Sequence, residues 1–200
     1  MLSELEKDLL IEIINIGVGK ASANLSEILN ARIQLEVPSI KLMDYQTLLK
    51  EYNNHSQPNT KVMLKFSGTM TGSTEMVLSE KNADSIVAHT MGIPATDPDF
   101  FEAKREIISE IGNIVLNSVI GNLSNSMEAT VEYQVPLYLE KSNDFIENDK
   151  TMKSDTIVLF CETKMVIDDF SLKCTVNIFL IENSFAHLGV YLRKEIQKYL

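Results

Sequence analysis

Two pairs of residues carry the chemistry legible in this sequence. Glu12 stands three residues before Asn15, and Glu110 stands three residues before Asn113. Each asparagine is followed by a distant proline, Pro38 or Pro136, so that E-x2-N-x22-P occurs twice. An amide is no base, and a Glu–Asn pair by itself makes a poor hydrolase. A carboxamide instead offers a hydrogen-bond donor and an acceptor in fixed relation. Residues three apart on a helix project side by side, so each pair would act as one unit.

The elements that must position these pairs are themselves duplicated. DLLIEIINIGVGKASANLS (8–26) aligns without gaps on EIISEIGNIVLNSVIGNLS (106–124), an offset of 98 residues. Both stretches read as helices. On a helical wheel Asp8, Glu12, Asn15, Gly19, Ser22 and Ser26 fall within about 40° of one line. Leu9, Leu10, Ile13, Ile14, Ile16, Ala21, Leu25 and Ile28 lie off it, which predicts a largely embedded helix with one narrow polar stripe. The second helix places Glu106, Glu110, Asn113, Asn117 and Ser124 on the same line, with Ile120 the exception. Gly19 lies on the polar line one turn beyond Asn15, where a missing side chain leaves room for an incoming group. Gly17 faces the opposite side and reads as close packing. In the second copy Gly112 precedes Asn113, and Asn117 occupies the position of Gly19. A second explanation of the stripes is structural: capping, or a hydrogen bond to the following strand.

The rest of each half repeats the same order. Alternating segments, ARIQLEVPSIKL and ATVEYQVPLYL, predict a half-buried strand after each helix. Pro38 and Pro136 end or edge these strands, because proline cannot donate to a ladder. Residues 50–60 and 141–154 read as polar loops. Strand pairs follow, KVMLKFSGTM with GSTEMVLS around a tight turn at Thr71-Gly72, and DTIVLFCETKMVI with FSLKCTVNIFLI. Each half closes on a helix, with Asn82 or Ser184 as the expected cap. The expected fold is α+β: a pseudo-two-fold duplication of an α-β-ββ-α unit with long helices packed on antiparallel sheet. The expected organisation is one domain of two repeats, about 1–98 and 99–200.

Composition excludes several classes. A net charge of −10 argues against nucleic acid and against an anionic membrane surface. No run is long enough to span a bilayer, and MLSELEKDLLIEII lacks the features of a signal peptide, so the expected compartment is the cytoplasm. Cys161 and Cys174 read as reduced strand residues, and with His55, His89 and His187 they assemble no zinc pattern. Neither Gly-x-Ser-x-Gly nor a P-loop occurs, so no conventional nucleophile is in view. Nothing in the residues points to a particular oligomeric state.

Residues 8–38 (D-x3-E-x2-N-x22-P) and 106–136 (E-x3-E-x2-N-x22-P) resemble the signature of the CheC/CheX/FliY family of chemotaxis phosphatases. Two copies resemble its two-site CheC branch. The departures are Glu106 where the family has Asp or Ser, and Ile14 where a glycine often precedes the asparagine. The resemblance implies hydrolysis of the aspartyl phosphate of a CheY-like response regulator. It assigns Glu12 and Asn15 to one site and Glu110 and Asn113 to the other, with Asp8, Gly19, Pro38, Glu106 and Pro136 as motif residues. By this resemblance the asparagine orients the attacking water and the glutamate contacts the partner's lysine. No cofactor of the chain's own is implied, since Mg2+ belongs to the regulator. The alternative it implies is a non-enzymatic adaptor that binds a regulator or the family's deamidase partner CheD.

Overall fold

The computed structural model describes residues 2–53, 59–140 and 156–198. Helix α1 (Glu4–Ile28) opens on a capping box: the Ser3 hydroxyl accepts from the Glu6 N–H, and the Glu6 carboxylate accepts from the Ser3 N–H. Strand β1 (Ile33–Asp44), helix α2 (Tyr45–Asn53), strands β2 (Asn59–Gly68) and β3 (Gly72–Ser79) and helix α3 (Glu80–Met91) follow. The later part of the chain forms α4 (Phe100–Ser126), β4 (Val131–Tyr133), β5 (Leu137–Leu139), β6 (Ile157–Ile167), β7 (Phe170–Leu180) and α5 (Glu182–Gln197).

All pairings in the sheet are antiparallel, in the order β1-β6-β7-β3-β2-β4, with β5 also on β2. The hairpins β2–β3 and β6–β7 meet at the centre. Each hairpin is flanked by strand from the other half of the chain: β1 lies on β6, and β4 and β5 lie on β2. An α+β fold with long helices on antiparallel sheet is therefore present, built from long-range pairings.

Helices α1 and α4 bury their apolar faces against one side of this sheet. Leu10, Ile14, Val18, Ala21 and Leu25 meet Ile108, Ile111, Val115, Val119 and Leu123 there, with sheet residues such as Val62, Leu64, Met76 and Ile178 beneath. A smaller cluster, Tyr45, Leu48, Val158 and Phe179, packs separately. The two helices cross closely at Gly17, whose added Cβ would lie 2.9 Å from Val119 Cα and 3.0 Å from the Ser118 carbonyl. Gly112 meets Val62 in the same way, at 2.5 Å. Gly19, by contrast, has nothing within 4 Å of such a Cβ. Gly17→Ala is therefore expected to destabilise by about 1–2 kcal/mol, because backbone must shift to admit the methyl. Gly19→Ala is expected to stabilise by up to about 1 kcal/mol through helix propensity. Urea unfolding of the two variants checks the opposite signs.

A buried cation fastens α4 to its surroundings. Lys104, 3% exposed, places Nζ 2.5 Å from Glu80, 2.8 Å from Asp84 and 3.2 Å from Glu140. Glu80 also accepts from the Thr60 hydroxyl at 2.6 Å. Burial alone would lower the Lys104 ammonium, but its hydrogen bonds to Asp84, Glu80 and Glu140 outweigh this and hold it above the ordinary lysine value.

Several local expectations are corrected. Residues 45–53 form α2 instead of opening a polar loop at 50, and β2 begins at Asn59. The remainder of the expected 50–60 loop, 54–58, and the expected 141–154 loop lie outside the described residues. Gly72 sits within β3 opposite Phe66, so the connection runs through residues 67–71 and is no tight turn at Thr71-Gly72. Its special residue is Gly68 (φ 134°), where a Cβ would lie 2.5 Å from the Thr130 carbonyl. ATVEYQVPLYL forms two short strands, not one, since the ladder with β2 lapses between Tyr133 and Leu137. Ser79 caps α3, whereas Asn82 donates to the Lys173 carbonyl and Ser184 accepts from the Thr71 N–H. Ile16 and Ile28 are 49% and 56% exposed, so α1 is less embedded than its wheel suggests.

Candidate functional site

The polar stripe of α1 has two parts with different partners. Its lower part closes the free edge of β1, the outermost strand of the sheet path. In such a strand alternate N–H groups point away from the sheet and need partners. Ile33, Leu35 and Val37 donate in turn to Ser26 Oγ (2.9 Å), Ser22 Oγ (2.9 Å) and Asn15 Oδ1 (2.8 Å). Asn15 Nδ2 also donates to the Val37 carbonyl at 2.9 Å, so both heteroatoms of this amide engage one backbone residue. Pro38 follows at a bulge: Glu36 pairs with Lys164 and Ser39 with Glu162, leaving one extra residue on β1. The missing proline N–H falls where the ladder is already interrupted. The N-x22-P spacing of the first copy thus has a structural cause.

The outer part of the stripe faces solvent. Asp8 and Glu12 are exposed, and neither forms a hydrogen bond or ion pair among the described residues. Gly19 is open beside them, and exposed Ile16 lies one turn from Glu12.

The second copy is arranged differently. Glu106 and Glu110 are exposed on α4, and Asn113 is half-buried. Asn113 does not hold the residue before its proline, for Val135 is 89% exposed. Asn113 instead accepts from Asn117 Nδ2, at 2.6 Å to Oδ1 and 2.9 Å to the Asn113 carbonyl. Among the described residues nothing accepts from Asn113 Nδ2. Pro136, between β4 and β5, lines a cleft of about 390 Å³ with Phe101, Arg105, Ser109 and Leu137. Phe101, Arg105 and Ser109 follow at four-residue steps along α4, and the next step is Asn113. The structure therefore joins Asn15 to Val37, the residue before Pro38, whereas the cleft bordered by Pro136 is lined by neither Glu110 nor Asn113.

Other candidates fall outside both sites. His89 lies 3.1 Å from Asp168 at the β6–β7 turn and stacks on Phe170, His187 is exposed on α5, and His55 lies outside the described residues. Cys161 and Cys174 are free and buried, and burial pushes both thiols up to about 12. Among the described residues no group of three His, Cys, Asp or Glu is placed to hold a metal ion, and no helix is long and apolar enough to cross a membrane.

Asn122 escaped the sequence reading. Its counterpart Asn24 is exposed, yet Asn122 is 8% exposed and donates to the Ile13 carbonyl at 2.8 Å while accepting from Lys20 at 2.7 Å. Only the α1–α4 crossing distinguishes the two. Asn117 was placed by the sequence on the polar line in the position of Gly19; its hydrogen bonds to Asn113, four residues before it, are what the structure adds.

Comparison with known proteins places these features in context. No family model matches the chain. It is 27% identical over 138 residues to the CheY-P phosphatase CheC of Bacillus subtilis, a match spanning 68% of this chain and 66% of that relative. The flagellar motor switch phosphatase FliY of the same organism is 23% identical over 159 residues, 76% of this chain and 41% of FliY. The chain thus spans less than two thirds of both relatives. Among solved structures, Thermotoga maritima FliY superposes with a TM-score of 0.75 at 21% identity, covering 97% of this chain and 98% of that one. CheX of Borrelia burgdorferi, solved in complex with CheY, BeF3 and Mg2+, superposes with a TM-score of 0.55 at 17% identity, covering 86% and 99%.

Proposed function

The chain belongs to the CheC/CheX/FliY family, and from that premise we propose that it hydrolyses the aspartyl phosphate of a CheY-like response regulator. The observation that carries this reading is the pair of exposed Glu110 and half-buried Asn113: among the described residues the glutamate has no hydrogen-bond or ion-pair partner and the amide nitrogen is uncommitted.

The reaction asks little covalent work of this chain. Water attacks phosphorus in line, the P–O bond to the regulator's aspartate breaks, and inorganic phosphate and a free carboxylate result. An acyl phosphate is already activated, and the regulator's own Mg2+ and charges stabilise the transferring group. What remains is placing the water, where positioning effects are large. In this reading Asn113 inserts toward the phosphoryl group and orients that water through its amide, and Glu110 receives the regulator's lysine. Glu12 has the same freedom to receive a cation. Mixing the protein with phosphorylated regulator and Mg2+ is expected to accelerate phosphate release well above the regulator's own rate.

One observation favours a second reading for the first site. Both heteroatoms of Asn15 are engaged by Val37, so Glu12, Ile16 and open Gly19 form a face suited to docking without hydrolysis. A regulator, or CheD, is the proposed occupant of an adaptor of that kind. Tight regulator binding with no acceleration of phosphate loss supports the adaptor reading for the whole protein and removes the phosphatase one.

A further inference from the structure

We infer that Asn117 is a positioning residue that fixes which end of the Asn113 amide faces an incoming phosphoryl group. The inference rests on the hydrolytic reading of the second site and deepens it. Its logic begins at a backbone atom. The Asn113 carbonyl can only accept, so the Asn117 atom 2.9 Å from it must be the amide nitrogen. That same nitrogen has a second proton, directed 2.6 Å to the Asn113 side chain, and so the atom it meets there must be Oδ1. With Oδ1 held by a neighbour on its own helix, Nδ2 of Asn113 is turned away from Asn117. The amide keeps both Nδ2 protons and one Oδ1 lone pair for water and phosphoryl oxygen. Without Asn117 the amide is free to rotate by half a turn and present oxygen where nitrogen is required.

The first copy lacks this device. Gly19 stands where Asn117 does, and the orientation of Asn15 is set by the strand. The replacement of a glycine by an asparagine is therefore more than a loss of room: it supplies a donor one turn from the reactive amide.

The test uses the full chain in a Glu12→Lys background. That change repels a cation from the first site, and exposed Glu12 forms no hydrogen bond or ion pair among the described residues. Asn117→Ala is expected to lower kcat for phospho-regulator hydrolysis about tenfold with KM changed less than twofold, a pattern of lost orientation rather than lost docking. Asn117→Asp offers only acceptors, so it should draw Asn113 Nδ2 inward and lower kcat at least as far. The Asn113 side-chain amide signals in 15N NMR should shift and broaden in both variants, while the thermal midpoints stay near that of the parent. A kcat within twofold of the background for Asn117→Ala, while Asn113→Ala abolishes activity, overturns the inference and spares the phosphatase. A rise in KM alone also overturns it. If Asn113→Ala is silent as well, the hydrolytic reading itself fails. Unaltered Asn113 amide signals in Asn117→Ala then overturn the positioning role independently.

Discussion

Asn113→Ala is expected to lower the rate of regulator dephosphorylation roughly 10²-fold, whereas Asn15→Ala is expected to lower it much less and to be felt in stability. The two asparagines occupy equivalent places in the sequence, so equal effects would be the simple expectation. Their partners make the difference. Among the described residues Asn113 Nδ2 is uncommitted, and Oδ1 is steadied by Asn117. Asn15 is committed to the N–H and carbonyl of Val37, a residue with no solvent exposure. Truncating it leaves those backbone groups without partners, at a cost of about 2 kcal/mol. Phosphate release by each single variant, set beside its urea midpoint, separates the effects. Equal rate losses with unchanged midpoints would show that Asn15 leaves β1 to act in catalysis, and the proposed division between the sites would be wrong.

Lys104→Met is expected to destabilise the fold by about 3 kcal/mol, the typical cost of removing one partner from a buried ion cluster. Glu80 and Glu140 would be left with only 15% side-chain exposure and no ammonium between them. The same cluster sets a pH dependence. Because the Lys104 ammonium is held above the ordinary value of 10.5, its contribution is complete below that pH and declines as pH rises through the raised folded value. The alkaline limb of the stability profile should therefore be flatter in Lys104→Met than in the wild type. A variant that melts within 1 kcal/mol of wild type would mean the three carboxylates find solvent without the lysine.

Much of the molecule was legible because its signals are local. The two long helices declare themselves by apolar residues at helical spacing, and the central hairpins by alternation. Gly17 read correctly as a close contact, since a glycine on a buried helix face has few other uses. The failures share one cause. ATVEYQVPLYL alternates as well as its counterpart, yet it splits into β4 and β5 because its neighbour is β2, in a different register from that of β6 on β1. Ser184 was a plausible cap until the fold brought the Thr71 N–H to it.

By itself, the sequence determined that an acid and an amide lie side by side on each of two helices, because that follows from 3.6 residues per turn. It also determined that the second amide has an asparagine one turn beyond it where the first has a glycine. What it left open was the structural explanation it had itself raised: whether each stripe faces a strand or solvent. The tertiary structure decided this separately for the two copies. A side chain's hydrogen bonds depend on which backbone groups are brought beside it, and β1 offers α1 an edge with unpaired N–H groups, which Asn15, Ser22 and Ser26 satisfy. Along α4 the corresponding strand is broken at Gln134-Val135-Pro136, and Asn113 is left facing outward, steadied by its own helix.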